Sequence, residues 1–172
     1  MPLPVIREER PEDVERVRSV HLAAFGRERE ARLVERLRAA GKAAVSLLAE
    51  ENGAVLGHVM FSAVSIDTDD RARGAWALAP LAVLPAFRRL GIGSALVSAG
   101  LARLRERGES RVLVLGDPHY YSRFGFVPAA RFGLQCPFPA PEEAFMAIEL
   151  EPGALSGCAG TACYGHEFDD LE

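Results

Sequence analysis

"RRLGIGSALV", residues 88–97, sets two arginines ahead of two glycines and a serine at the mouth of a segment with helical period. How this turn is read decides the fold. Amide N–H groups at a helix start lack partners, and the helix dipole adds partial positive charge there, so a phosphate or pyrophosphate is the natural guest. Gly91 and Gly93 carry no side chain to hold a ligand off the backbone, and Arg88 and Arg89 bring charge just outside. A turn that only joins strand to helix would look the same, and "GIG" alone does not separate the two.

The flanks supply the context. Upstream, "AWALAPLAVL" (75–84) reads as a strand, with Pro80 expected to weaken or split its pairing because it has no N–H to donate. Downstream, Ile92, Leu96, Val97, Leu101 and Leu104 keep a helical period from Gly91 to Arg107, and Gly108 ends it. "RVLVLGD" (111–117) is then a short buried strand, so strand, helix and strand make a right-handed crossover with the glycines at its turn.

Working outward, "PVIREER" reads as a strand, and "RPEDVERVRSVHLAAF" as a helix with Pro11 and acidic residues in its first turn. A second helix is predicted from Glu28 to Ala40, stopped by Gly41. The period then changes. Two apolar runs flank Glu51-Asn52-Gly53, a strong hairpin signal, and a loop is expected from Asp67 to Gly74. "PHYYSRFGF" (118–126) has room for two helical turns, with Pro118 at the first position and Gly125 as the stop; "AFMAIEL" (144–150) is expected to be the last strand. The sum is a mixed α/β domain of about five to seven strands.

Composition bounds the function. The chain has 172 residues, enough for one domain with a substantial core, and its 49% hydrophobic and 26% charged content is that of an ordinary soluble protein. A net charge of -4 argues against a general nucleic-acid binder. Only Lys42 among the 20 basic residues is a lysine, a bias that reads first as GC-rich codon usage. The charged N-terminus is no secretory signal, and no run approaches the roughly 20 apolar residues of a membrane span. Cys136, Cys158 and Cys163 do not form a disulfide framework, so a cytoplasmic, reduced setting is expected. Cys158, Cys163 and His166 do not have the spacing of zinc loops, and no metal is expected.

Which phosphate the turn holds follows from what is missing. A nucleotide P-loop needs lysine after the glycine, and Gly93 is followed by Ser94. A dinucleotide turn needs a third glycine or alanine where Leu96 stands, and Asp117 comes late for a ribose contact. The remaining device is arginine or glutamine, two residues, glycine, one residue, then glycine or alanine, which "RRLGIG" supplies through Arg88, Gly91 and Gly93. With "LAPLAVLPAFRR" upstream and "GDPHYYSRFGF" downstream, the sequence strongly resembles the GNAT superfamily of acetyl-CoA-dependent N-acetyltransferases, in particular a small bacterial group with a GDPxYYxRFGF signature. The resemblance spans residues 3–151, leaving 152–172 as a C-terminal extension.

That resemblance implies the GNAT acyltransferase fold, a mixed central β-sheet flanked by helices, and acetyl-CoA as cosubstrate. It implies that Leu81, Ala82 and Val83 pair with the pantetheine arm, and that Arg88, Arg89, Leu90, Gly91, Ile92, Gly93 and Ser94 hold the pyrophosphate. A backbone N–H near Leu81 to Val83 could polarise the thioester carbonyl. Tyr121 takes the position of the family's tyrosine acid, donating to the leaving thiolate; without the resemblance it would read as an aromatic anchor in the core. Tyr120, turned about 100° away, suits that role less. For a base, His58 alternates with apolar neighbours on a central strand and titrates near neutral pH, although a histidine satisfied inside the sheet would look the same; Glu50, Glu51 and His119 are weaker candidates.

The activity implied is N-acetylation of a primary amine on a small molecule or protein by direct attack in a ternary complex. A coenzyme A-binding regulatory module with little turnover is the alternative. The acceptor is not named by the sequence; acidic Asp67, Asp69, Asp70, Glu167, Asp169, Asp170 and Glu172 could attract a cationic amine or be solvated loops. No nucleic-acid or membrane partner is expected, and a homodimer is compatible with the family's habits.

Overall fold

The change of period after Gly41 is where helix gives way to sheet. Ahead of it, strand β1 (Val5–Glu8) and the 3-10 turn Pro11–Asp13 lead into helix α1 (Val14–Phe25), and helix α2 spans Arg29–Ala39. The computed structural model describes residues 3–171, so Glu172 lies outside the described residues. Buried Asp13 fixes the entry to α1. It accepts two hydrogen bonds from Arg7 (2.8 and 2.9 Å) and one from the Arg10 backbone N–H (2.7 Å), and it also binds Arg16. The Arg7 guanidinium above all holds the Asp13 carboxyl well below the usual carboxylate range, against the opposing effect of burial.

The remaining elements are β2 (Ala43–Glu51), β3 (Ala54–Thr68), β4 (Ala72–Val83), α3 (Ile92–Glu106), β5 (Arg111–Leu115), α4 (Pro118–Tyr121), β6 (Val127–Pro128), β7 (Leu134–Gln135), β8 (Phe145–Glu149) and β9 (Gly160–Cys163). Two compact units contain them. The first holds the chain up to Phe61 together with Ala79–Arg103 and Leu171; the second holds Ser62–Leu78 and Leu104–Asp170.

In the first unit the strand order is β1-β2-β3-β4. β1 and β2 are antiparallel, Val5 opposite Glu50 and Glu8 opposite Leu47. The hairpin between β2 and β3 turns on Asn52 and Gly53, both with positive φ (50° and 80°), as a type I′ turn requires. The Leu84 N–H donates to the Leu56 carbonyl at 2.9 Å, tying the end of β4 to β3. Alternation along β3 assigns its two faces. Gly57 faces Ile92 and Leu96 of α3, and the Phe61 ring lies against Gly100 of the same helix. His58 therefore points to the opposite face, where it meets His21 of α1.

In the second unit the order is β3-β4-β5-β8-β6, with β9 on the free side of β3 and β7 on β9. The sheet is mixed: β4 runs parallel to β5 at Trp76↔Val112 and Ala77↔Leu113, while β5 and β8 are antiparallel over five residue pairs. Two departures from expectation stand out here. The loop predicted for 67–74 shrinks to residues 69–71, because the Thr68 hydroxyl bonds Asp70 (2.6 Å) and closes the turn on Arg71. And "AFMAIEL", which gives β8, is not the last strand. β9 follows it and pairs with Ser65–Thr68 of β3, while Leu155, Cys158 and Ala162 join Ile66, Leu113 and Phe145 in one buried cluster.

Candidate active site

The glycine turn is built by a change of backbone sign. β4 runs through Pro80 without a break to Val83, and its pairing with β5, at Trp76 and Ala77, precedes that proline. A 3-10 turn, Pro85–Phe87, then delivers Arg88 in extended conformation. Arg89 and Gly91 both have positive φ, 64° and 87°. A left-handed non-glycine residue costs roughly 1–2 kcal/mol, and such strain collects at ligand sites. The Gly91 carbonyl accepts from Ala95 N at 3.0 Å, so Gly91 opens α3 and the amides of Ile92, Gly93 and Ser94 fall in its unpaired first turn. Arg88, Arg89, Leu90 and Gly91 are exposed, Gly93 and Ser94 half-buried, and Ile92 buried. The Arg88 guanidinium donates to the Ala24 carbonyl in the last turn of α1, at 2.6 Å. On β4, Leu81 and Val83 are half-buried and Ala82 is buried, its carbonyl packed against Gly57 of β3.

Tyr121 sits in the second unit, on a turn held at its start by Asp117. That carboxylate accepts from the His119 N–H at 2.9 Å, Pro118 occupies the first helical position, and Gly125 stops the following 3-10 turn with φ of 100°. The Tyr121 ring meets Phe126 and Tyr120 edge-on, at centroid distances of 5.8 and 5.0 Å. Its floor is Gly116, a residue sequence reading missed: a Cβ there would stand 2.6 Å from Tyr121 Cε2. Burial pushes the Tyr121 phenol well above its usual value, with Tyr120 and Asp117 adding to the rise. The raised value keeps the phenol protonated near neutral pH, where its O–H can donate. Tyr120 instead carries Arg123 over its ring, 4.5 Å from the centroid. Gly116→Val is expected to displace the Tyr121 ring and lower turnover by roughly tenfold, following the sensitivity of rate to placement. Steady-state rates beside a binding isotherm check this, and an unchanged rate would remove Gly116 as the seat.

His58 is fully buried in the first unit, and both ring nitrogens are engaged. Nδ1 lies 2.8 Å from His21 Nε2 and Nε2 lies 2.7 Å from Ser46 Oγ, so no ring nitrogen of His58 is left for an amine. Ser46 also binds Glu9, and Arg38 pairs with the other Glu9 oxygen. Burial lowers His58, despite Glu9, and lowers His21 to about 3. For Glu9, burial raises the carboxyl, but His58, Ser46 and Arg38 outweigh it and the net shift is downward. His21, Glu9, Ser46 and Arg38 were not picked out from sequence. The signal available was a histidine on the apolar face of α1, four residues after Val17.

The weaker base candidates are placed differently. Glu50 holds Arg7 at 2.6 Å and Arg16 at 3.8 Å, Glu51 is half-buried beside the hairpin turn, and His119 is exposed on α4. Among the acidic residues, Asp67, Asp69, Asp70, Asp169 and Asp170 are exposed, whereas Glu167 is buried, 3.5 Å from His166, and offers no surface charge. Among the described residues no group of three or more His, Cys, Asp or Glu side chains could hold a metal ion, and no helix is long and apolar enough to cross a membrane.

Comparison with known proteins supplies the context for this geometry. The model of the acetyltransferase (GNAT) family matches residues 12–126. The "uncharacterized N-acetyltransferase YhbS" of Escherichia coli (strain K12) is 38% identical over 167 residues, covering 96% of this chain and 98% of that protein. The crystal structure of YhbS from Escherichia coli in complex with CoA superposes with a TM-score of 0.91 at 37% identity, over 98% of this chain and 94% of that one. A GNAT family acetyltransferase from Brucella melitensis, solved in complex with acetyl-CoA, gives a TM-score of 0.79 at 38% identity, over 96% and 97% of the two chains.

Proposed function

Because this chain belongs to the GNAT acetyltransferase family, we propose that it transfers the acetyl group of acetyl-CoA to a primary amine of a small molecule or protein, by direct attack of the amine on the bound thioester. The observation that carries this reading is the turn from Arg88 to Ser94, where Gly91 in left-handed conformation opens a 15-residue helix with its first amides unpaired. Two relatives of the same fold are crystallised with CoA or acetyl-CoA, which supports the same cosubstrate here.

Each residue then has a role. Leu81, Ala82 and Val83 pair through their backbone with the pantetheine arm. The amides of Ile92, Gly93 and Ser94 take the pyrophosphate, helped by the α3 dipole and by Arg88 and Arg89, with Leu90 and Gly91 shaping the turn. Attack by the neutral amine forms the C–N bond and breaks the C–S bond; the nitrogen gives up one proton to solvent and the sulfur leaves as a thiolate. Tyr121, protonated throughout, donates a hydrogen bond to that thiolate. A phenol this reluctant to ionise stabilises the leaving sulfur without surrendering its proton, because the thiol it faces is the stronger acid at about 8.5. His58, with both ring nitrogens engaged inside the first unit, is given no part in deprotonating the amine.

Thiol release from acetyl-CoA across a panel of primary amines tests the reading. Amine-dependent release is expected; tight acetyl-CoA binding with release no faster than hydrolysis would overturn it in favour of a coenzyme A-binding module. Gly91→Val probes the turn itself. Its Cβ would meet nothing nearer than Leu3, at 3.5 Å, so the fold tolerates the volume, but a β-branched residue resists φ of 87°. Calorimetry should record acetyl-CoA affinity weakened by about tenfold, matching a conformational cost near 1.4 kcal/mol. Unchanged affinity would move the pyrophosphate elsewhere.

A further inference from the structure

The sheet of the second unit ends at β6, and a cavity of about 460 Å³ opens beside that edge. Small-molecule sites occupy roughly 300–1,000 Å³, so the space suits a ligand of modest size. Every residue lining it belongs to the second unit. Phe126 and Met146, both buried, form an apolar floor together with Pro128 of β6. The charged groups come from two short 3-10 turns: Arg131 from Ala129–Phe132 and Glu143 from Glu142–Ala144. Both are exposed, and among the described residues neither side chain forms a hydrogen bond or an ion pair, with the other or with any third group. Other arginines of this unit are committed. Arg111 donates to the Ala154 and Gly74 carbonyls, and Arg123 lies over the Tyr120 ring.

A guanidinium and a carboxylate that share an apolar floor without pairing complement a ligand carrying both charges and an apolar body. The guanidinium fork takes a carboxylate through two N–H donors, and the Glu143 carboxylate takes an ammonium. A polyanion would set its charge against Glu143, and a purely apolar ligand would leave both charges unanswered. The floor also has a second neighbour. The Phe126 ring meets Tyr121 edge-on at 5.8 Å, while neither Tyr120 nor Tyr121 lines the cavity. A ligand resting on Phe126 therefore presses on the seat of Tyr121 without touching Tyr121 itself, and close-packed side chains pass such a displacement on.

We propose that this cavity binds a free amino acid with an aromatic or branched apolar side chain, and that its occupancy is felt at Tyr121 through Phe126. Arg131 holds the carboxylate, Glu143 holds the ammonium, and the side chain lies on Phe126 and Met146. The site is a binding site and takes part in no bond-making step, so it stands whether or not the chain transfers acetyl groups.

Calorimetric titration of the full chain with L-phenylalanine, in the absence of acetyl-CoA, tests the site. Saturable binding is expected with a Kd of about 1 mM. L-phenylalaninamide lacks the carboxylate and N-acetyl-L-phenylalanine lacks the ammonium, and each should bind about tenfold more weakly. Arg131→Gln should erase the preference over the amide and keep the preference over the N-acetyl compound; Glu143→Gln should do the reverse. Neither side chain holds any other part of the protein, so both variants should melt with the parent. No saturation by about 20 mM overturns the site. Binding that both variants leave unchanged overturns it too, since phenylalanine would then sit elsewhere, as an acceptor amine would. NMR of ring-labelled tyrosine reads the link to Phe126: the Tyr121 resonances should move as phenylalanine saturates. Saturable binding with Tyr121 unmoved would overturn that link.

Discussion

Tyr121→Phe is expected to lower turnover by on the order of 1,000-fold and to leave acetyl-CoA affinity within about twofold, as for a donor that acts only when charge develops. Two properties of the side chain lead to this outcome. Its ring is seated by Gly116 and Phe126 through contacts that phenylalanine reproduces, so the variant should fold and bind as the parent does. Its hydroxyl is held protonated by burial, so removing it removes a hydrogen-bond donor and no charge from the resting protein. The loss should therefore appear in kcat and not in KM for acetyl-CoA. Acetyl thioesters of more acidic thiols should suffer less, because their leaving thiolates need less help. Equal kcat in parent and variant would assign the leaving sulfur to another donor.

Ending the chain after Glu151 is expected to prevent folding. Residues 152–170 contribute β9, which covers the Ser65–Thr68 edge of β3, and they bury Leu155, Cys158, Ala162 and Phe168. Phe168 also closes an aromatic stack through Tyr164 to Phe138. Large apolar side chains contribute roughly 1.5–3 kcal/mol each when buried, so the loss is on the order of 5 kcal/mol before the strand's hydrogen bonds are counted. Net stabilities run at about 5–15 kcal/mol, and a deletion of this size consumes most of that margin. Solubility and the cooperativity of urea unfolding for the shortened chain would decide it. A soluble fragment with a sharp transition would make the extension dispensable.

The elements that were legible share a cause. Asn52-Gly53, Gly108 and the pair of Pro118 and Gly125 announce turns by their own backbone preferences, so their neighbours needed no tertiary help to be placed. β9 was illegible because "GTAC" has little propensity of its own; it is a strand because β3 offers it an edge. The seat of Tyr121 was hidden for a similar reason. Gly116 reads as one more turn glycine, and its use is the absence of a Cβ beneath a ring that arrives five residues later. The histidine network was hidden more deeply, because its five members come from α1, α2, β2, β3 and the segment after β1. His58 was visible as a single residue, but its chemistry is set by neighbours distant in sequence.

The bond between Arg88 and the Ala24 carbonyl makes the end of α1 a brace for the glycine turn. A guanidinium has five N–H donors, and this bond uses one of them, so the side chain is held in place by the helix end while its charge stays beside the turn. The position of that charge is therefore set by a helix more than sixty residues away in sequence.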